Sequence, residues 1–298
     1  MTITLQNTQL RLKIVPQLGA GIAGLEVQLP EGWVPVLRPT PATAIQSGLA
    51  SRLSCFLLIP YSGRIAGANF GFGGQRYRLR PSGQDGNSIH GDVRTRPWEV
   101  VERGESGLLC RLHSRSFADF NFPFALGAEV GYRLEGAGLQ VALRVWSEDE
   151  RPMPVGMGLH PYFLRQLGQQ EAQLAVRAER YYPTGPDLIP AGPAVPVPQS
   201  LRFSPPRRVG SQQLDTTFTG WDGRAELRWP ELTAQLEADP IFSHLVLFTH
   251  PSGALAIEPV SNAADGFNLM DRGVRSGVQV LQPGAELRGS VQLRFVGL

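Results

Sequence analysis

Lysine is almost missing from this chain: of its 28 basic residues only Lys13 is one, and the others are arginines. Schiff-base chemistry, pyridoxal phosphate attachment and a Walker-type phosphate lysine would all fall to that residue. Lys13 sits in a strand-like run with no glycine-rich loop beside it, which argues against these classes. Cysteine is scarce as well. Cys55 and Cys110 have apolar neighbours and no metal-ligand spacing, so buried free thiols are expected, with a single disulfide as the alternative. No apolar run approaches the length of a membrane span, and Met1 to Lys13 alternates polar with apolar instead of forming a signal-peptide core. A cytoplasmic protein without membrane contact is the expectation. Charge of one sign is also lacking: the formal net charge is +2, and Arg207-Arg208 is too short for a phosphate-tracking stripe, so no nucleic-acid partner is expected. Neither Gly-x-Ser-x-Gly nor a helix-opening Gly-x-Gly-x-x-Gly occurs, which disfavours a serine nucleophile elbow and a dinucleotide site. The five histidines form no His-x-His pair followed by Glu, so no metal is expected; a metal-dependent sandwich enzyme with distant ligands is the alternative.

What the 298 residues do carry is strand pattern. Thr2 to Leu5, Arg11 to Ile14 and Ala23 to Leu29 alternate, as do Leu108 to Leu112, Ala225 to Trp229, Leu232 to Ala238, His244 to Thr249, Ala254 to Glu258 and Val291 to Phe295. The clearest hairpin joins Phe124–Leu134 through Glu135-Gly136-Ala137-Gly138 to the face made by Leu139, Val141, Leu143 and Val145. Helical periodicity is nearly absent, and Gly (34) and Pro (25) punctuate the chain with turns. The pattern predicts an all-β protein, a large antiparallel β-sandwich or barrel, in a single domain over residues 1–298. Tyr181 to Pro206, with eight prolines, reads as an ordered surface excursion.

Two segments point to chemistry. In Gly156-Met157-Gly158-Leu159-His160-Pro161-Tyr162-Phe163, read as a strand, Gly156, Gly158, His160 and Tyr162 share one face, while Val155, Met157, Leu159 and Phe163 face the core. Glycine in a strand often marks a close ligand approach, so the glycines are expected to floor a cavity beside His160. In Ala254-Leu255-Ala256-Ile257-Glu258-Pro259, small residues again lead along one face to a single ionisable group. A buried, unpaired carboxylate is costly, which favours a lined cavity and a general acid and base across a small polar ligand. The plain alternative is a satisfied core histidine and a paired structural glutamate. Trp98 and Trp221 read as core, and His250, before a turn, as structural; His113 and His244 have no assigned role.

The chain resembles the aldose 1-epimerase (galactose mutarotase) family. The resemblance rests on five segments in order: Ile59-Pro60-Tyr61-Ser62-Gly63-Arg64-Ile65 with Asn69-Phe70, Asn87-Ser88-Ile89-His90-Gly91, Leu159-His160-Pro161-Tyr162-Phe163, Leu214-Asp215-Thr216-Thr217-Phe218, and Ile257-Glu258-Pro259 with Asp265-Gly266-Phe267-Asn268. It departs from the family at Gly63, where Asn commonly precedes the arginine, and at Asp92, where a second glycine or an aromatic is frequent. The resemblance implies a galactose mutarotase-like supersandwich that interconverts the α and β anomers of a free aldose without a metal or organic cofactor. It implies Glu258 as base on the anomeric hydroxyl and His160, protonated, as acid at the ring oxygen. A histidine near its ordinary pKa of about 6.5 suits a role that reverses within each turnover. Arg64, His90 and Asp215 would hold sugar hydroxyls, in a monomer or a homodimer. The rivals are a hexose-phosphate mutarotase of the same fold, which would need basic groups converging on a phosphate (Arg64 and Arg52 being the early candidates), and a non-catalytic carbohydrate-binding protein.

Overall fold

The alternating runs become strands almost where the pattern puts them. The computed structural model describes all residues, Met1–Leu298. Strand accounts for 50% of the chain and helix for 9%, which sets the class as mostly β. Ile3–Gln6, Leu10–Val15, Gly21–Leu29 and Gly32–Pro35 form a four-stranded antiparallel meander. The main sheet follows the order Glu99–Arg103, Gly107–His113, Leu126–Glu135, Gly138–Ser147, Glu286–Val296, Thr233–Ala238, Asp215–Arg228, His244–Thr249, Ala254–Val260, Gly158–Leu159 and Leu57–Leu58. The expected hairpin closes with Glu135 opposite Gly138, and its strands alternate buried and open positions as a half-buried sheet should.

Both sheets pack on one apolar cluster of 66 buried residues that runs from Ile3 to Phe295. The Tyr132 hydroxyl donates to the Ala20 carbonyl at 2.6 Å, and an isolated bridge pairs Ile22 with Cys55. Trp98 and Trp221 are buried, and Cys55 and Cys110 are separate buried thiols. Burial pushes the Cys110 thiol up to about 11, so it stays protonated. No helix is long and apolar enough to cross a membrane.

Register decides which side chains share the working face. Thr217 lies opposite Val246, and Val246 opposite Glu258; in the next row Asp215, Phe248, Ala256 and Tyr162 are aligned. Side chains directly opposite in an antiparallel sheet point the same way, so Asp215, Glu258 and Tyr162 project from one face although they come from three parts of the sequence.

The histidine segment is not the continuous strand its alternation suggests. It breaks into Met153–Val155, Gly158–Leu159 and Tyr162–Leu164, and the last two both pair with Ala254–Val260. The core assignments hold, since Val155, Met157, Leu159 and Phe163 all belong to the main cluster. The cavity-floor expectation for the glycines does not. A Cβ on Gly156 would stand 2.0 Å from Asn262 Oδ1, and one on Gly158 would stand 2.7 Å from Val260 Cγ1 and 2.9 Å from the Pro259 carbonyl. Their missing side chains are filled by protein, not left to a ligand. Ala256 is small for a similar reason: it lies in register between Tyr162 and Phe248, whose rings close over it with centroids 6.5 Å apart.

Candidate active site

Glu258 is the fifth residue of a strand buried along its whole length, and its carboxylate has one close partner. Oε1 lies 3.1 Å from Nε2 of His160, with both side chains almost fully enclosed. The imidazole is held between two rings, Phe56 at 4.5 Å and Tyr162 at 4.4 Å between centroids. Its Nδ1 is buried without a protein partner, so the ring is oriented from its Nε2 side, by Glu258 and by the Tyr162 hydroxyl 3.4 Å away. Burial pushes the Glu258 carboxyl well above the usual carboxylate range, with Asp215 adding to the rise and Arg64 opposing it. Burial likewise holds His160 well below its ordinary value, which corrects the expectation of a near-neutral pKa. Both shifts favour a neutral imidazole beside a protonated carboxyl over the ion pair.

A cavity of about 290 Å³ opens over this pair and is lined by Arg64, His90, Thr217 and Asp215 among others. Thus all five residues singled out from sequence meet in one place. His90 stands in the left-handed region at φ +64°, a conformation that costs a non-glycine residue and is found where a site over-determines it. Two bonds impose it: the His90 amide donates to the Gly63 carbonyl at 2.9 Å, and the Gly63 amide donates to His90 Nδ1 at 3.2 Å. Because Nδ1 accepts, the proton of the neutral ring sits on Nε2. Burial keeps that ring neutral, helped by the neighbouring His160, Arg94 and Arg64. Gly91 next to it is forced, since a Cβ there would stand 1.9 Å from the Ile59 carbonyl oxygen.

Arg64 is held between two carboxylates, Asp85 at 2.9 Å and Asp215 at 3.7 Å. Partial burial pushes Asp85 up, but the Arg64 and Asn87 hydrogen bonds outweigh it and hold the carboxyl below its usual range. Asp215 is raised by burial, with Arg64 opposing. The loop under Arg64 is tied to the segment that follows the glutamate strand. Ser62 exchanges two bonds with the Asn262 side chain, at 3.1 and 3.2 Å, and the Asp265 amide donates to the Arg64 carbonyl at 2.6 Å. Asp265 Oδ1 then accepts from the Ala66 amide at 3.0 Å. The proline-rich excursion contributes Thr184 and Leu188 to the rim of the cavity.

Sequence reasoning missed Asp85, Arg94, Phe56 and Asn262. An Asp-Gly turn such as Asp85-Gly86 looks like any surface turn, and Asn262 acts 200 residues away from its partner. Neither here nor elsewhere do three His, Cys, Asp or Glu side chains gather at ligating distance. What the site can do is move a proton: an acid and a base in contact, enclosed, beneath a polar cavity of monosaccharide scale.

Comparison with known proteins agrees with this geometry. The family model described as Aldose 1-epimerase matches residues 1–294. The chain is 26% identical over 309 residues to the uncharacterized protein YphB of Escherichia coli strain K12, covering 99% of each. It is 32% identical over 136 residues to the aldose 1-epimerase of that organism, covering 44% of this chain and 38% of that protein. Its structure superposes on a galactose mutarotase-like protein from Clostridium acetobutylicum with a TM-score of 0.87 at 17% identity, covering 100% of this chain and 95% of that one, which gives it the same fold. With almost its whole length matched by the family model, and with the five motif segments assembled around one cavity, the chain belongs to the aldose 1-epimerase family.

Proposed function

We propose that the protein is a mutarotase, interconverting the α and β anomers of an aldose by acid–base ring opening and reclosure. The observation that carries this is the 3.1 Å contact of His160 with Glu258 at the base of a sugar-sized cavity. Ring opening removes the anomeric hydroxyl proton and delivers one to the ring oxygen, and these two oxygens share a single carbon. Two proton carriers in contact with each other can therefore address both.

The single proton of the pair accounts for the whole cycle. With the proton on His160, Glu258 is ionised and takes the anomeric proton while His160 protonates the ring oxygen. The C1–O5 bond breaks and an aldehyde forms. The pair is then left with its proton on Glu258, the other of its two neutral-sum forms. After rotation at C1 the steps run backwards, and the opposite face of the aldehyde is closed. No proton need be exchanged with solvent and no net charge is created in the buried site, which avoids the cost of an uncompensated buried ion. His90, with its Nε2 proton facing the cavity, donates to a sugar oxygen; Arg64 donates and Asp215 accepts at neighbouring hydroxyls.

Exchange of anomers measured by NMR, on freshly dissolved glucose, galactose, xylose, arabinose and fucose, tests the reading. Glu258→Gln and His160→Asn are each expected to lower kcat by at least a hundredfold while sugar binding survives in part. Parent-like exchange in both variants refutes the assignment.

A further inference from the structure

The cavity has two electrostatic poles, and only one is balanced. At the glutamate pole Arg64 is neutralised by Asp85 and Asp215. At the histidine pole Arg94 lies with its Cζ 5.6 Å from the Phe56 ring centroid and lines the cavity, but it makes no ion pair. Its Nε is buried without a protein partner, and its one hydrogen bond, from Nη2 to the Ile89 carbonyl, is long at 3.5 Å. Asp92, the nearest acid in sequence, is engaged by Arg96 at 2.7 Å. Arg38 lies 3.8 Å from the Tyr162 ring centroid, donates to the Ser51 and Leu53 carbonyls, and also has a buried, unpartnered Nε. A guanidinium offers five donors in a fixed fork, and leaving buried donors unpaired is costly.

We propose that Arg94 reads an anionic substituent of the sugar, an oxyanion carried on the carbon beyond the ring oxygen. The inference rests on the mutarotase reading, because that reading fixes the direction of the sugar. With the anomeric oxygen at Glu258 and the ring oxygen at His160, the next ring atom is C5, which bears the exocyclic carbon. That carbon projects on the side of His160 away from Glu258. Arg38, Arg94 and His250 are the charges felt by His160, whereas Asp215 and Arg64 are those felt by Glu258. A neutral hydroxymethyl group would take one donor and leave the cation uncompensated. A phosphate or carboxylate accepts several donors and balances the charge.

Anomer exchange is to be measured by NMR on glucose, xylose, glucose 6-phosphate and glucuronate with the parent, Arg94→Met and Arg94→Lys. The expected result is a kcat/KM at least tenfold higher for one or both anionic sugars than for glucose. Arg94→Met should shrink that ratio roughly ten- to hundredfold and Arg94→Lys should keep part of it. An advantage confined to glucose 6-phosphate assigns a phosphate, and one confined to glucuronate a carboxylate. Exchange of glucose or xylose as fast as that of the anionic sugars, or an anionic preference that survives in Arg94→Met, overturns this inference and leaves the mutarotase standing. Exchange of none of the four above the buffer rate overturns this inference, and if galactose, arabinose and fucose are not exchanged either, the mutarotase falls with it.

Discussion

His160 and Glu258 titrate as a pair, and the pH dependence of the reaction follows from that. Adding a second proton to the pair creates a buried cation, and removing its only proton creates a buried anion. Burial opposes both, which is why His160 lies well below its ordinary value and Glu258 well above its own. The catalytically competent one-proton form therefore spans a wider range than two independent groups would give. The profile of kcat/KM is expected to have its acid limb below the ordinary histidine range and its alkaline limb above the ordinary carboxylate range. An acid limb with its midpoint at 6.5 would mean that His160 exchanges protons as an exposed histidine does. At this scale the sequence was informative about identity but not about environment. His160 and Glu258 stand out by their approach residues, yet nothing local says that they touch.

The same approach residues carry the argument among strands. Gly156, Gly158 and Ala256 are small because protein, not ligand, comes close to them, and only the register of Ala254–Val260 against its neighbours reveals it. The two glycines differ in consequence. Gly158→Ala presses on Val260 and the Pro259 backbone, so it should destabilise the fold by about 1–3 kcal/mol as overpacking does, with KM little changed. Gly156→Ala drives its Cβ into the Asn262 amide that holds Ser62, the residue two before Arg64. That variant should raise KM severalfold besides losing stability. Urea unfolding together with sugar titration separates the two, and equal effects on KM would place both glycines beside the ligand after all. Strand existence and the working face were legible from alternation. The pairing of the Ser62 loop with Asn262 was not, because a hydrogen bond between residues 200 apart leaves no periodic trace.

At the scale of the whole molecule, part of the acid stability rests on a histidine with no part in the chemistry. His244 is buried at the start of the strand that pairs with Asp215–Arg228, its Nε2 3.3 Å from the Tyr182 hydroxyl and its Nδ1 2.9 Å from Ser243 Oγ. Through Tyr182 it fastens the beginning of the proline-rich excursion to the main sheet, so the rim of the cavity depends on it. Burial lowers its pKa to about 4. The unfolded chain, with an ordinary value near 6.5, binds this proton first as the pH falls. Stability from His244 is thus complete above pH 6.5 and is lost progressively as the pH falls towards 4, by about 3 kcal/mol. Buried carboxyls such as Glu258 and Asp265, raised by burial, act in the opposite direction over the acid range, so the test is a difference between variants and not the parent curve alone. Urea midpoints of the parent and of His244→Gln, at pH 7 and pH 4, should show the parent losing about 3 kcal/mol more than the variant over that interval. Equal losses in the two proteins would mean that His244 takes up its proton in the folded state as readily as in the unfolded chain, and that acid unfolding begins elsewhere.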